Sequence, residues 1–382
     1  MLGLYIHIPF CSAICNYCNF NRGLFDAGLK ARYVEALIEE IRRSGDSCGY
    51  SVFDGNGPPA DTIYFGGGTP SLLEPNEVAR IIDCCRSVFT VAADAEMTLE
   101  ANPETVTSER IAGFRDAGIN RISFGVQSFR DEELRRLSRL HDAERARQAV
   151  AEARTAGLTN VSLDLMMWLP QQRLESWLES VDAAIELSPE HLSLYLLEVY
   201  PNAPLKDEMA RAGWSLAPDD DAAEMYLTAM ERLEAAGYEQ YEISNVSRPG
   251  RQSRHNLKYW TDGEWVGFGC GAHSTRGHVR WKNVSSTTEY IDRVGRQEPT
   301  GTEVRRLTDR ERLGDALFTG LRLNEGIDLG AIERRYGVDV WQRDRADLEP
   351  FVSAGYLVHD PGRLRLTRAG MLLAHEVMAV FV

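Results

Sequence analysis

The stretch LGLYIHIPFCSAICNYC, residues 2–18, decides how this chain is read. Its first half is an apolar strand pattern over residues 4–8 that Pro9 stops. Its second half sets Cys11, Cys15 and Cys18 in the spacing C-x3-C-x2-C. Three closely spaced thiolates can hold three irons of a cubane [4Fe–4S] cluster and leave the fourth iron open to a small chelating ligand. The alternative is a structural zinc site completed by His7 or a distant residue. Such sites are usually built from paired cysteine units with four protein ligands, and no second pair follows here.

Working outward, five more strand patterns appear at residues 62–65, 97–100, 121–125, 161–165 and 192–196. Amphipathic helical stretches at 33–43, 77–89, 108–117, 143–156 and 174–187 lie between them, with Gly118, Gly157 and Pro189 closing three. Six strand–helix repeats predict a parallel sheet with right-handed crossovers. A doubly wound sheet and a partial or complete barrel both satisfy that order. No GxGxxG follows the first strand, which disfavours a dinucleotide-binding sheet. Polar residues gather at the C-terminal strand ends, where a barrel carries its site. They are the cysteine loop, Gly66-Gly67-Gly68-Thr69-Pro70, Glu100-Ala101-Asn102-Pro103, Gly125-Val126-Gln127-Ser128 and Asp164. Asp164 in an apolar strand is costly unless it is paired or functional.

The barrel unit is expected over residues 1–210 and an extension over 211–300, where the regularity fades into Gly-, Tyr- and Trp-rich sequence. A small α+β unit is expected over 301–382, with helices, a hairpin turning at Pro361-Gly362 and a last helix. That order resembles a winged helix, here read as a packing or interaction module.

Hydrophobic content of 43%, charged content of 26% and 382 residues are those of a soluble globular protein. A net charge of −15 argues against nucleic acid as a partner, although Arg248, Arg251 and Arg254 are close in sequence. No run reaches the length of a membrane span and no export signal is seen, so a reducing, cytoplasmic setting is expected. Seven cysteines fit a disulfide framework poorly. Cys84 and Cys85 read as buried helix residues, and Cys48 as a loop residue without a constellation.

The cysteine spacing followed by Gly66-Gly67-Gly68-Thr69-Pro70 resembles the radical S-adenosylmethionine (SAM) superfamily. The residues from Tyr5 to Cys11, Gly125-Val-Gln127-Ser-Phe, Leu137-Ser-Arg139 and Leu163-Asp164-Leu165 look like the anaerobic coproporphyrinogen III oxidase group. His255-Asn256-Leu-Lys-Tyr259-Trp260 and Gly267-Phe-Gly-Cys-Gly-Ala-His273-Ser look like its HemW-type branch. The resemblance implies an α/β fold: a partial (β/α)6 TIM-like radical SAM barrel with a small C-terminal winged-helix-like domain. In that superfamily SAM chelates the open iron, and an electron from the cluster cleaves it. Carried over by motif, the SAM contacts are Tyr5, Tyr17, Gly67, Gly68, Thr69, Glu100, Gln127, Arg139 and Asp164. Arg139 suits the SAM carboxylate, since guanidinium pairs carboxylates bidentately. Glu100 and Asp164 suit ribose hydroxyls or the ammonium.

The oxidases of the group carry an N-terminal extension and a further cysteine, where this chain starts its strand at Leu2 and has Phe20. The resemblance therefore implies a heme chaperone that passes heme to acceptor proteins, with His255 as heme ligand and Tyr259, Trp260 and Trp265 beside it. His273 and Cys270 are further heme candidates. An electron donor is expected if the cluster is redox active; peripheral membrane association and a homodimer are compatible with the role. A radical SAM enzyme acting on a porphyrin or other organic substrate, and a structural zinc protein, are the other readings. Two departures are Trp168, where the group has glycine beside the SAM floor, and Cys270, where it has proline.

Overall fold

The structure, a computed structural model, describes residues 1–44 and 59–382; Cys48 lies outside the described residues. Strands β1 (Leu2–Ile8), β2 (Ala60–Gly67), β3 (Val91–Ala101), β4 (Arg121–Gln127), β5 (Val161–Met167) and β6 (His191–Leu196) lie side by side in that order, all parallel. β1 and β6 do not pair, so the barrel stays open. The sheet instead continues past both ends. Beyond β6 come the antiparallel β8 (Asn245–Ser247) and β7 (Glu239–Glu242). Beyond β1 come the parallel β9 (Glu264–Phe268) and then β10 (His273–Arg276), β11 (Val279–Asn283) and β12 (Gly301–Arg306), giving one sheet of 12 strands.

Alternation along each strand separates two environments. Leu4, Ile6 and Ile8 of β1 are fully buried and share one core with Leu37 and Ile41 of the helix Ala27–Ser44. Ile63 and Phe65 join the same core with Ile81, Ile82 and Cys85 of the helix Pro75–Val88, so Cys84 and Cys85 are the buried helix residues expected. That helix starts sharply because Pro75 opens it and Glu74 and Glu77 form a capping box. Trp177 is wholly buried and ties its helix, Leu174–Glu186, to the helix Asp219–Ala235, its indole donating to the Met225 carbonyl at 3.0 Å. The opposite strand faces carry Thr62, Arg121, Ser123, Ser162, His191 and Ser193, all buried. A polar lining this deep is unusual for a parallel sheet and marks the interior as a site rather than a core.

The last unit packs the helices Asp309–Gly320, Leu329–Tyr336 and Val340–Ser353 with a small sheet of β13 (Ile327–Asp328), β14 (Leu357–Asp360) and β15 (Arg363–Leu366). The hairpin turns at Gly362, whose φ of 101° favours glycine. Among the described residues no helix is long and apolar enough to cross a membrane.

Candidate functional site

The loop after β1 doubles back on itself, Phe10–Cys11 pairing with Gly23–Leu24. The Cys18 N–H closes a turn onto the Cys15 carbonyl at 3.2 Å. Asn16 fixes the loop from beneath, donating to the Arg136 carbonyl at 2.8 Å and to Glu208 at 2.5 Å. Arg22 donates to the carbonyls of Cys18 and Phe20. So held, Cys11, Cys15 and Cys18 all open onto one cavity of about 470 Å³ at the C-terminal ends of the barrel strands.

The same cavity is lined by Tyr17, Gly67, Gly68, Thr69, Glu100, Gln127, Arg139 and Asp164. The structure thus brings together eight of the nine residues expected to contact SAM. Tyr5 stands apart, one residue layer below. It donates to or accepts from His7 Nδ1 at 3.1 Å and stacks on Tyr64 at 6.2 Å.

The glycine run is explained by protein packing. A Cβ on Gly67 would lie 2.6 Å from the His7 ring, and one on Gly68 would lie 2.7 Å from the Phe10 carbonyl oxygen. The Gly68 and Thr69 amides donate to the Ile8 and Phe10 carbonyls at 2.8 and 2.7 Å. Gly68 therefore lets the second loop lie against the backbone of the cysteine loop, while Gly67, at φ 115°, clears the His7 ring.

Arg139 reaches the cysteines, with Nη1 3.4 Å from the Cys15 sulfur and Nη2 donating to Asn102 Oδ1 and the Gly125 carbonyl, both at 2.7 Å. Asn102 in turn donates to Thr69 Oγ1 at 3.2 Å. Gln127 adopts φ 69°, a strained backbone of the kind that gathers at functional sites. Burial pushes the Glu100 carboxyl up to about 7, against the Tyr64 hydroxyl and Gly67 amide that favour its charged form. Burial likewise pushes Asp164 up to about 6, opposed by Ser193, Arg121 and Ser123. Two carboxyls held near neutrality beside an open cavity are poised to ionise against an incoming cation.

Reading the sequence placed Asn102 at a strand end without a ligand role and missed several other residues that line the cavity: Ser123, Met166 and the β6 end, Tyr195 to Glu198. Ser123 was within reach, since it follows the alternation rule. Tyr195 and Leu196, 41% and 45% exposed, carried no signal because an apolar pair at a strand end reads as core.

A [4Fe–4S] cluster fits this donor set. Three thiols share one roomy cavity, and among the described residues no three His, Cys, Asp or Glu side chains converge to hold a single ion. His7, the expected fourth zinc ligand, has Nε2 bonded to the Asn21 carbonyl at 2.8 Å and Nδ1 to Tyr5.

His255 lies away from the cavity, 1% exposed. Nδ1 meets Thr62 Oγ1 at 2.7 Å and Nε2 meets the Tyr259 hydroxyl at 3.0 Å. Burial lowers its pKa to about 3, with Lys258 and Arg121 adding to the effect. In this arrangement neither nitrogen is free for an iron. Tyr259 and Trp265 pack edge to face at 4.7 Å, and Arg322 covers Trp260 at 4.4 Å. Cys270 is fully buried against Asn21 and Thr287, and His273 faces solvent. Trp168 does not enter the cavity. It is half-buried, with φ 63°, and its indole donates to the Ala217 carbonyl at 2.8 Å.

An open parallel barrel whose first loop presents three cysteines to the strand-end cavity is the architecture of a radical SAM protein. The sequence agrees: the Radical SAM superfamily model matches residues 5–184 and the HemN C-terminal domain model residues 307–373. Heme chaperone HemW of Bacillus subtilis (strain 168) is 34% identical, covering 100% of this chain and 99% of its own length. Heme chaperone HemW of Mycobacterium tuberculosis (strain H37Rv) is 38% identical, covering 98% and 93%. The chain belongs to the HemW family. Among solved structures, coproporphyrinogen III oxidase (HemN) from Escherichia coli superposes with a TM-score of 0.85 at 25% identity, covering 100% of this chain and 89% of that one.

Proposed function

We propose that this protein is a heme chaperone. It holds a [4Fe–4S] cluster on Cys11, Cys15 and Cys18 with SAM at the open iron, and binds heme for transfer to other proteins. The observation that supports the cofactor half is the convergence of three thiols, Arg139 and two buried carboxyls on one cavity. The heme half rests on likeness over the full chain to relatives named heme chaperones.

When bound, the cluster would supply an iron site for chelation and an electron. The chain's own residues do the rest. Arg139, braced by Asn102 and the Gly125 carbonyl, offers its guanidinium edge to the SAM carboxylate. Glu100 and Asp164 accept from the ammonium or ribose hydroxyls and ionise as the cation enters. Tyr17 packs against the ligand beside the cysteine loop. With His255 enclosed, heme must meet another surface or wait for the Arg254–Trp260 helix to open.

Anaerobic reconstitution followed by parallel titration with SAM and heme tests this. About four irons and four sulfides per chain are expected, falling to none in the Cys11→Ala/Cys15→Ala/Cys18→Ala variant. Zinc without acid-labile sulfide would defeat the cofactor half, and no heme spectrum at micromolar heme would defeat the chaperone half. Substrate-dependent release of 5′-deoxyadenosine with a porphyrin would favour an enzyme instead, the reading that likeness to the oxidase keeps alive.

A further inference from the structure

The motif from His255 to Trp260 is the largest feature the SAM cavity leaves unexplained. It forms a short helix, Arg254–Trp260, that enters the barrel from the end opposite the cavity. Its first amides, of Arg254 and His255, donate to the two Glu96 oxygens at 3.0 and 3.1 Å. Lys258 pairs with Asp61 at 2.5 Å, and Arg254 spans Asp61 and Asp94. These bonds leave the His255 ring fixed in the interior. It lies over Gly3, where a Cβ would come within 3.1 Å of it.

Above His255 sits Tyr64. The two rings stack at 5.0 Å with 24° between their planes, and Tyr5 flanks both at 6.2 and 6.3 Å. The Tyr64 hydroxyl donates to Glu100 Oε1 at 2.7 Å. The other Glu100 oxygen takes the Gly67 amide at 3.1 Å, and Glu100 lines the cavity. One continuous column therefore runs from helix to histidine to tyrosine to the cavity carboxylate. Thr62 and Tyr259 occupy both nitrogens of the histidine, so its tilt is set from two sides.

We propose that His255 is a positioning residue of the SAM site: it backs Tyr64, and Tyr64 holds Glu100 in place for the ligand. The inference rests on the reading of the cavity as a SAM site. It assigns the motif a role in ligand affinity that needs no bond between His255 and a heme iron.

The test is SAM equilibrium dialysis with cluster-reconstituted protein. Tyr64→Phe removes one hydroxyl and nothing else, and should weaken SAM about tenfold, as loss of a hydrogen bond to a charged group does. His255→Ala opens a void beneath Tyr64 and should weaken SAM similarly. The double variant should be no weaker than either single one, because both break the same column. His255→Phe keeps a flat ring under Tyr64 and should restore SAM affinity to within about twofold of wild type, whereas an iron-ligating role would be lost in Phe and Ala alike. If His255→Ala does not fold, Tyr64→Phe and His255→Phe still decide. SAM affinity unchanged by Tyr64→Phe or His255→Ala overturns the inference, as does His255→Phe binding SAM as weakly as His255→Ala. So do single effects that multiply in the double variant. Wild-type protein that fails to bind SAM removes the proposed function itself, and the inference with it; normal wild-type binding confines the failure to the column.

Discussion

If Glu100 and Asp164 face SAM as proposed, its binding releases protons, and lowering the pH from 8 to 6 is the perturbation that exposes it. Their carboxyls sit at about 7 and about 6 in the ligand-free protein because burial disfavours their charge. At pH 8 both are ionised in about nine molecules in ten; at pH 6 Glu100 is ionised in about one in eleven and Asp164 in about half. If the SAM cation needs both charges, affinity falls about twentyfold over that interval. The same titration means that binding at pH 6 expels about 1.4 protons. Isothermal calorimetry of reconstituted protein in buffers of different ionisation enthalpy reads both quantities. Glu100→Gln should flatten the profile to about the twofold change left to Asp164. A dissociation constant that stays within threefold from pH 8 to pH 6 would refute the reasoning, and so would an unchanged slope in Glu100→Gln. The sign for stability follows from the same shift. A carboxyl raised from 4.5 to about 7 contributes stability below its unfolded value and loses it as pH rises through 7, so the ligand-free protein should soften over that range.

Gly68→Ala should destabilise the fold by roughly 1–3 kcal/mol, because its Cβ meets backbone at 2.7 Å that cannot swing aside; thermal melting measures it. Asn102→Ala removes a brace from Arg139 and should weaken SAM severalfold while the melting midpoint moves little, which dialysis beside melting separates. Trp177→Ala should cost about 3–5 kcal/mol in denaturant titration, since it empties a wholly buried indole site and removes the bond to the Met225 carbonyl.

The six barrel strands were legible because each is a short apolar run set off by an amphipathic helix and a breaker. Their ends were less so. β3 begins at Val91, well before the expected residue 97, because Ala92, Ala93 and Asp94 carry no strand signal. The strands β7 to β12 were not read at all. They are short, all but β9 pair only antiparallel, and β10 and β11 are polar stretches such as His273–Arg276 whose pairing partners decide their state. Within the site, the cysteines and strand-end carboxyls were visible as motifs. The support of Glu100 by Tyr64 and His255 was not, since it joins residues 36 and then 191 positions apart, which no local pattern reveals.

The packing of Gly66–Gly68 has a bearing on how such sequences drift. Selection on Gly67 comes from the His7 ring and a φ of 115°, and on Gly68 from the backbone of the cysteine loop, so it persists whether or not a cofactor is bound. A descendant that abandoned SAM would be free to lose its cysteines and Arg139, yet would still be held to glycine at positions 67 and 68. In comparing relatives, the glycine run is evidence of shared ancestry and fold, while retention of the cofactor must be judged from the cysteines and the cavity carboxylates.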